Sequence, residues 1–422
     1  MKTLRRSRAL TRAAGYAALA LGVAGGVVAV PGTAQARPFP TRSVAVGWGL
    51  AVNGNLGDGQ PAGNDQTLYG DVTGLTNVVQ VAAGTSHSLA LTSDGRMWAF
   101  GDNGRGELGT GTTTNSDVPV QVPGVVGVTQ IAAGNGFSVA LTSSGNVLTW
   151  GDDEYGELGG DYAGRLGYST RPVHVHGLTG VTQIAAGGRF ILALRSDGTV
   201  WAWGQNGSGQ LGNGTTANSD VPVQVTGLSR VTQIAAGSDS AMAALTKGFI
   251  TSLTTVWTWG GNDDGQLGDG TLASRSTPGQ VSGIDVPNVR GISAGDGFSM
   301  VLGSDGTVWA WGADYDGQLG NAATNTVLRP AETIGKDSGI THLSAGGVHV
   351  LALRSDGTVL AWGDNEAGEI GNGIRSETPT LPTEVTGLTG VAQVSAGWYF
   401  SLAVHYPVLR RVRPDARWIT AG

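Results

Sequence analysis

Three short markers recur seven times along this chain at nearly fixed spacing, so only an architecture that repeats a unit of about 50 residues can hold them. A Trp-Gly pair stands at Trp48, Trp150, Trp203, Trp259, Trp311 and Trp362, with Phe100-Gly101 in the remaining slot; successive steps are 52, 50, 53, 56, 52 and 51 residues. Eight residues beyond each aromatic comes a Leu-Gly, at Leu56, Leu108, Leu158, Leu211, Leu267 and Leu319, with Ile370-Gly371 last. An Ala-Gly pair ends at Gly84, Gly134, Gly187, Gly237, Gly295, Gly346 and Gly397. Glycine supplies 72 of 422 residues. Because it recurs at set places in a chain that is 40% hydrophobic, it reads as turns and close backbone approaches, not disorder.

Each unit reads as four short strands. In the second, Val78 to Ala82 is rich in β-formers, Ser88 to Leu91 follows, Ser93-Asp94-Gly95 makes a hairpin turn, Arg96 to Phe100 returns, and Val118 to Val122 completes the set. In Trp201-Ala202-Trp203 and Trp309-Ala310-Trp311 the indoles are two residues apart, hence on one face of a strand, where they can pack between sheets. The expected fold is all-β, a seven-bladed β-propeller of four-stranded blades, because radial packing covers both faces of every sheet. A linear β-solenoid is the competitor. The ends favour the ring: residues 43–49 are the second half of a unit and residues 391–404 the first half of one, so the N- and C-terminal strands are expected to share one blade.

The termini stand apart from the repeat. Lys2, Arg5, Arg6, Arg8 and Arg12 precede an apolar run from Ala13 to Val30, and Ala34-Gln35-Ala36 offers a small-x-small cleavage pattern. Residues 1–36 therefore read as a signal peptide, followed by a linker at 37–42, the propeller at 43–405 and a basic tail at 406–422. An uncleaved anchor is the other reading of the run, and Arg5-Arg6 raises twin-arginine export, which the flanking residues fit poorly. Cleavage takes the net charge from −7 to −12. That charge repels phosphate backbones and anionic lipid, so no nucleic acid and no stable membrane insertion are expected. There is no cysteine, which leaves packing and topology to stabilise a secreted or cell-surface chain. A monomer is expected.

Chemical motifs dissolve into the repeat. Gly291-Ile292-Ser293-Ala294-Gly295 matches the nucleophile-elbow pattern, yet Ser293 holds the slot of Ala82, Ala132, Ala185, Ala235, Ser344 and Ser395, at a strand end with no elbow. Residues 104–109 and 207–212 match G-x-G-x-x-G without the helix a pyrophosphate needs. No cofactor is expected. His174 and His176 alternate along a strand but lack a third ligand, so no metal is expected. His87 and His349 take a slot filled elsewhere by phenylalanine. Acidic loops at Asp152-Asp153-Glu154, Asp263-Asp264 and Asp314-Tyr315-Asp316 lack the calcium-loop order and are expected to be solvated.

The stretches Ala83 to Leu91 and Gly101 to Gly109 resemble the two signatures of the regulator of chromosome condensation repeat, and the likeness covers residues 43–405. The resemblance implies a seven-bladed propeller. Among the family's activities are guanine-nucleotide exchange on a nuclear GTPase, ultraviolet-B reception through a Gly-Trp-Arg-His-Thr motif, and inhibition of a secreted enzyme by aromatics just after the Ala-Gly position. That motif is absent here, and only Trp398-Tyr399 is aromatic at the inhibitory slot.

Two irregularities guide the functional reading. The Ala-Gly to Trp-Gly spacing is 16 in five units but 22 between Gly237 and Trp259, so a longer hairpin carrying Phe249 projects there. Trp398 and Tyr399 stand where sibling loops are small or polar. The chain is accordingly read as an exported, non-enzymatic protein-interaction scaffold with a protein partner, its candidate contacts being Trp398, Tyr399, Arg189 and Asp239 on one rim and Phe249 on the hairpin. The alternatives are an extracellular enzyme, a polysaccharide lyase or hydrolase with its site at the central channel, and a guanine-nucleotide exchange factor. No catalytic residue is assigned.

Overall fold

A computed structural model describes residues 42–160, 167–247, 253–375 and 380–407. Its strands form seven four-stranded antiparallel sheets arranged as a ring, a seven-bladed β-propeller. Blade 2 shows the plan: Val78–Ala83 lies innermost, then His87–Thr92, Met97–Gly101 and, outermost, Ser116–Gln121. Blades 3 to 7 repeat it over residues 128–174, 181–224, 231–280, 289–334 and 340–384. Blade 1 is composite. Val44–Gly49 pairs with Gln66–Asp71 on one side and with Phe400–His405 on the other, in register from Val44 opposite His405 to Gly49 opposite Phe400; Val391–Ala396 completes the sheet. The two chain ends therefore close the circle within one blade, as expected.

Burial follows position in the blade. The second strand of blade 2, His87–Thr92, is buried at every residue, whereas the outer strand Ser116–Gln121 is only half-buried. Both faces of an inner strand are covered by neighbouring blades, so it reads as a near-continuous apolar run; the outer strand borders solvent. The core is accordingly seven layers, one between each pair of blades. The layer between blades 3 and 4 includes Phe137, Val139, Ile184, Ile191 and Trp203, with Trp201 packed against it. The paired indoles thus share one face, as their spacing requires.

In the six blades that carry tryptophan in the repeated slot, the indole also ties the blade to the one before. Trp150 Nε1 donates to Glu107 O at 2.7 Å and Trp203 Nε1 to Glu157 O at 2.9 Å; Trp48, Trp259, Trp311 and Trp362 make the same bond. An indole buried without an acceptor would carry a desolvation cost, and the loop carbonyl removes it. The glycine of Leu-Gly permits the approach: at Gly109, φ is +66° and a Cβ would lie 2.9 Å from Trp150 Nε1.

The Ala-Gly glycines form the innermost ring. Each faces the carbonyl oxygen of its counterpart in the next blade, from Gly84 to Gly134, Gly187, Gly237, Gly295, Gly346, Gly397 and back to Gly84. A Cβ on Gly84 would lie 2.8 Å from Gly134 O, inside any tolerable contact. The seven-fold repetition of this glycine is the requirement that seven inner strands converge on one axis.

Candidate functional site

Antiparallel order puts the loops joining first to second strands, and third to fourth strands, at one end of the ring. The tight turns joining second to third strands lie at the other. Trp398, Tyr399, Arg189 and Asp239 all sit in first-to-second-strand loops and share a rim. The long hairpin lies on the opposite face. Its ladder extends beyond Leu245 opposite Thr255 to Lys247 opposite Leu253, which confirms the lengthening; its tip, with Phe249, lies outside the described residues. The four described candidates therefore share one rim, and the described base of the long hairpin lies at the other face.

At the rim the loop backbones join blade to blade: Asn135 N donates to Gly188 O at 2.9 Å and Gly347 N to Gly397 O at 3.0 Å. The channel they frame is narrow, with a cavity volume of about 90 Å³, and its walls are the alanines and glycines of the inner strands. At its mouth stand Thr85, Asn135, Ser238, Asp296 and Trp398. Among the described residues lining it, Asp296 alone carries a charge. Acid–base chemistry at the channel would need converging carboxylates or histidines, and these walls do not supply them.

Trp398 is half-buried and its indole lies over Gly347, where a Cβ would meet the ring at 3.0 Å. Tyr399 is 38% exposed, its ring centroid 6.4 Å from that of Trp398. Arg189 points away from the axis: its guanidinium bonds Glu154 at 2.7 Å and sits 5.0 Å from the centre of the Tyr155 ring. Asp239 is partly buried and accepts from Gln266 Nε2 at 3.4 Å; burial raises its carboxyl, and the Gln266 and Ser208 hydrogen bonds offset part of that. Three rim residues escaped the sequence reading, the first being Tyr155 beneath the Arg189 guanidinium. Tyr315, 63% exposed, donates its hydroxyl to Asp264 Oδ1 at 2.9 Å. Asp296 occupies the first position after Ala-Gly, the slot of Trp398, and a scan of that slot for charge as well as for aromatics would have found it. Burial raises the Asp296 carboxyl, the Asp239 and Asp264 charges act in the same direction, and the Ser238 hydroxyl bond opposes them.

The acidic loops need one correction. Asp152, Asp153 and Asp314 are buried, not solvated. Asp153 and Asp314 occupy the slot of Asn103, Asn206, Asn262 and Asn365, and like those asparagines they accept from the backbone N–H five residues on: Leu158 N to Asp153 at 3.0 Å, Leu319 N to Asp314 at 2.9 Å. They are loop braces. Burial pushes the Asp314 carboxyl up to about 6. Among the described residues no group of three or more His, Asp or Glu is placed to hold a metal ion. His174 and His176 are exposed on the outer edge of blade 3. His87 and His349 are fully buried, bonded through Nε2 to Ser138 and Ser401, and burial lowers them to about 4 and about 3. Ser293, Ser344 and Ser395 each accept from a backbone N–H of the next blade, of Ala345, Ala396 and Ala83. The elbow-like Ser293 is a joint between blades.

The fold and this rim now stand beside the known proteins. The RCC1-like domain matches residues 41–243, and the regulator of chromosome condensation (RCC1) repeat matches 255–302, 305–353 and 356–404. The chain belongs to the RCC1 repeat family. The ultraviolet-B receptor UVR8 of Arabidopsis thaliana is 30% identical to this RCC1-repeat propeller over 78% of the chain and 74% of the receptor. The E3 ubiquitin-protein ligase HERC2 of Homo sapiens is 30% identical over 87% of the chain, which spans only 8% of the ligase's length. Among solved structures, human WBSCR16 superposes with a TM-score of 0.78 at 22% identity, covering 87% of this chain and 100% of that one. Prp20p of Saccharomyces cerevisiae, described with its binding to Gsp1p and histones, gives 0.76 at 24% identity over 88% and 93%. At these identities the structural likenesses speak to the fold.

Proposed function

We propose that this RCC1-repeat propeller is an exported, non-enzymatic protein-interaction scaffold that binds its partner on the rim carrying Trp398. One observation carries the reading: the rim gathers Tyr155, Arg189, Tyr315, Trp398 and Tyr399, the residue types that anchor protein interfaces, on loops held in place by hydrogen bonds between blades. Local ion pairs occur at both ends of the ring, as Arg189 with Glu154 on this rim and Arg96 with Asp94 on the opposite face, so the contrast lies in the aromatic residues and not in charge. Export rests on the basic and apolar pattern of residues 1–36, which lie outside the described residues.

A photo-crosslinking residue at position 399 of the secreted chain is expected to capture one discrete partner in stoichiometric yield, with the capture lost on Trp398→Ala. The same probe at position 94, on the other face, is expected to give none. Equal capture at both positions, or a yield indifferent to Trp398→Ala, overturns the rim assignment. N-terminal sequencing of the secreted protein is expected to begin at Arg37; a chain beginning at Met1 overturns the export reading. Guanine-nucleotide exchange ranks behind this reading, because the structure described with Gsp1p is 24% identical and supports the fold alone.

A further inference from the structure

The mouth of the channel joins three features that point to one kind of ligand. The first is an aromatic wall: Trp398 of blade 1 leans across Gly347 of blade 7 and lines the opening. The second is a carboxylate on the next blade round, Asp296 of blade 6, which lines the same opening. The slot between them belongs to Gly347, which has no side chain. The third is charge. No lysine, arginine or histidine is among the described residues that line the channel, and the Asp239 and Asp264 carboxylates act on Asp296 from the neighbouring blade. Arginines on the same rim are already engaged, Arg189 by Glu154 and Tyr155, Arg105 by Asp152 and Arg375 by Asp65. An indole and a partly desolvated carboxylate that line one opening, the carboxylate also bonded by Ser238 of blade 5, attract an organic cation through the ring face and the negative charge together. The cavity, about 90 Å³, is well below the roughly 300 Å³ at which small-molecule sites begin, so it suits one side chain.

We propose that this mouth is a socket for a single basic side chain, arginine above all, presented by a loop of the protein partner. The guanidinium stacks on the Trp398 indole and forks onto the Asp296 carboxylate. A planar cation with several donors satisfies both at once, which a compact ammonium does less well. The proposal rests on the interaction reading above and gives that partner a chemistry.

The probe is a Gly/Ser peptide with one central arginine, titrated calorimetrically into the secreted chain, with the citrulline peptide as its neutral isostere. The arginine peptide is expected to bind at least tenfold more tightly than the citrulline one. Asp296→Asn and Trp398→Ala are each expected to weaken it at least fivefold, and Arg96→Ala on the far face to leave it unchanged. Trp398→Phe, which keeps an aromatic wall, is expected to retain binding within about threefold and covers the case in which the alanine variant fails to fold. Equal affinity for the two peptides, no binding up to the solubility limit, or indifference to Asp296→Asn overturns the socket. If position 399 still crosslinks a partner in that event, the socket falls and the interaction reading stands; if neither is seen, both fall.

Discussion

Gln393 and Val81 lie 312 residues apart in the chain, and the side chain of one holds the backbone of the other. Val81 N donates to Gln393 Oε1 at 2.8 Å, and Gln393 Nε2 donates to Val81 O at 3.0 Å. Gln80 grips Ile131, Gln130 grips Ile184 and Gln183 grips Ile234 in the same two-bond manner. Inner strands of adjacent blades diverge too far to share a ladder, and the amide bridges the gap while satisfying a buried N–H and C=O.

Gln393→Ala should therefore be among the most damaging single polar changes in the ring. It orphans a buried donor and a buried acceptor at about 1–3 kcal/mol each, at the joint between the composite blade and blade 2. The urea midpoint is expected to fall and the Val81 amide to lose its protection from hydrogen exchange. Gln233→Ala is expected to cost less, since Gln233 Oε1 is buried without a partner and only its Nε2 bonds the next blade, at Arg290 O. Equal losses in the two variants would refute this account of the bridge.

Three carboxylic acids sit where the other blades carry an amide. Glu107, Glu157 and Glu369 accept from the backbone N–H two residues before, as Gln210, Gln266 and Gln318 do. Burial pushes them up to about 6, about 8 and about 7. A carboxyl raised in the fold contributes its stability in full below its unfolded value near 4.5, and that stability is lost as the pH rises through the folded value. For Glu157 the loss runs from about pH 4.5 to about pH 8. Glu157→Gln should match the parent in thermal stability near pH 4.5 and exceed it increasingly toward pH 8.5, by an amount on the order of a few kcal/mol. Melting curves across that range check it; a gap that does not change with pH would show that Glu157 is already solvated.

The inner glycines make a steric prediction with a built-in control. Gly84→Ala places a methyl 2.8 Å from both Gly134 O and His87 Cε1, so two blades must separate. A loss of about 2 kcal/mol or more is expected, within the range for overpacked cores. Gly70, on the outermost strand of blade 1, has no atom within 4 Å of a would-be Cβ and no left-handed φ; Gly70→Ala should be neutral or slightly stabilising. Thermal unfolding of the pair separates crowding from glycine content.

The ring was legible because its constraints repeat. Seven copies of Ala-Gly, of an aromatic-Gly and of a Leu-Gly or Ile-Gly are seven solutions to one packing problem, and the half-units at residues 43–49 and 391–404 betrayed the closure. What escaped were single residues whose meaning depends on the next blade. Gln80 reads as an ordinary polar residue in an apolar strand until Ile131 is placed beside it. Asp153 and Asp314 read as solvated loop acids because their acceptor role toward Leu158 and Leu319 emerges only when the loop folds back. Asp296 gains significance from Trp398, 102 residues away in sequence and across a glycine in space.

The long hairpin lies on the face away from the rim, and this separation can be tested without disturbing the ring. In blade 4 the ladder reaches its turn at Leu194 opposite Val200; in blade 5 the corresponding pair is Ala244 opposite Val256, beyond which the ladder runs on through Leu245, Thr246 and Lys247. Replacing residues 245–255 by the five residues that stand at 195–199 restores the sibling spacing and, among the described residues, takes only the Leu245 side chain from the layers between blades. The melting temperature is expected to move by only a few degrees, consistent with about 1 kcal/mol in a chain of this size. Crosslinking at position 399 should persist unchanged, because the excised segment and the Trp398 rim occupy opposite ends of the strands. Loss of that crosslink in a folded variant would mean the partner reaches both faces, and the single-rim reading would give way to one in which the hairpin shares the contact.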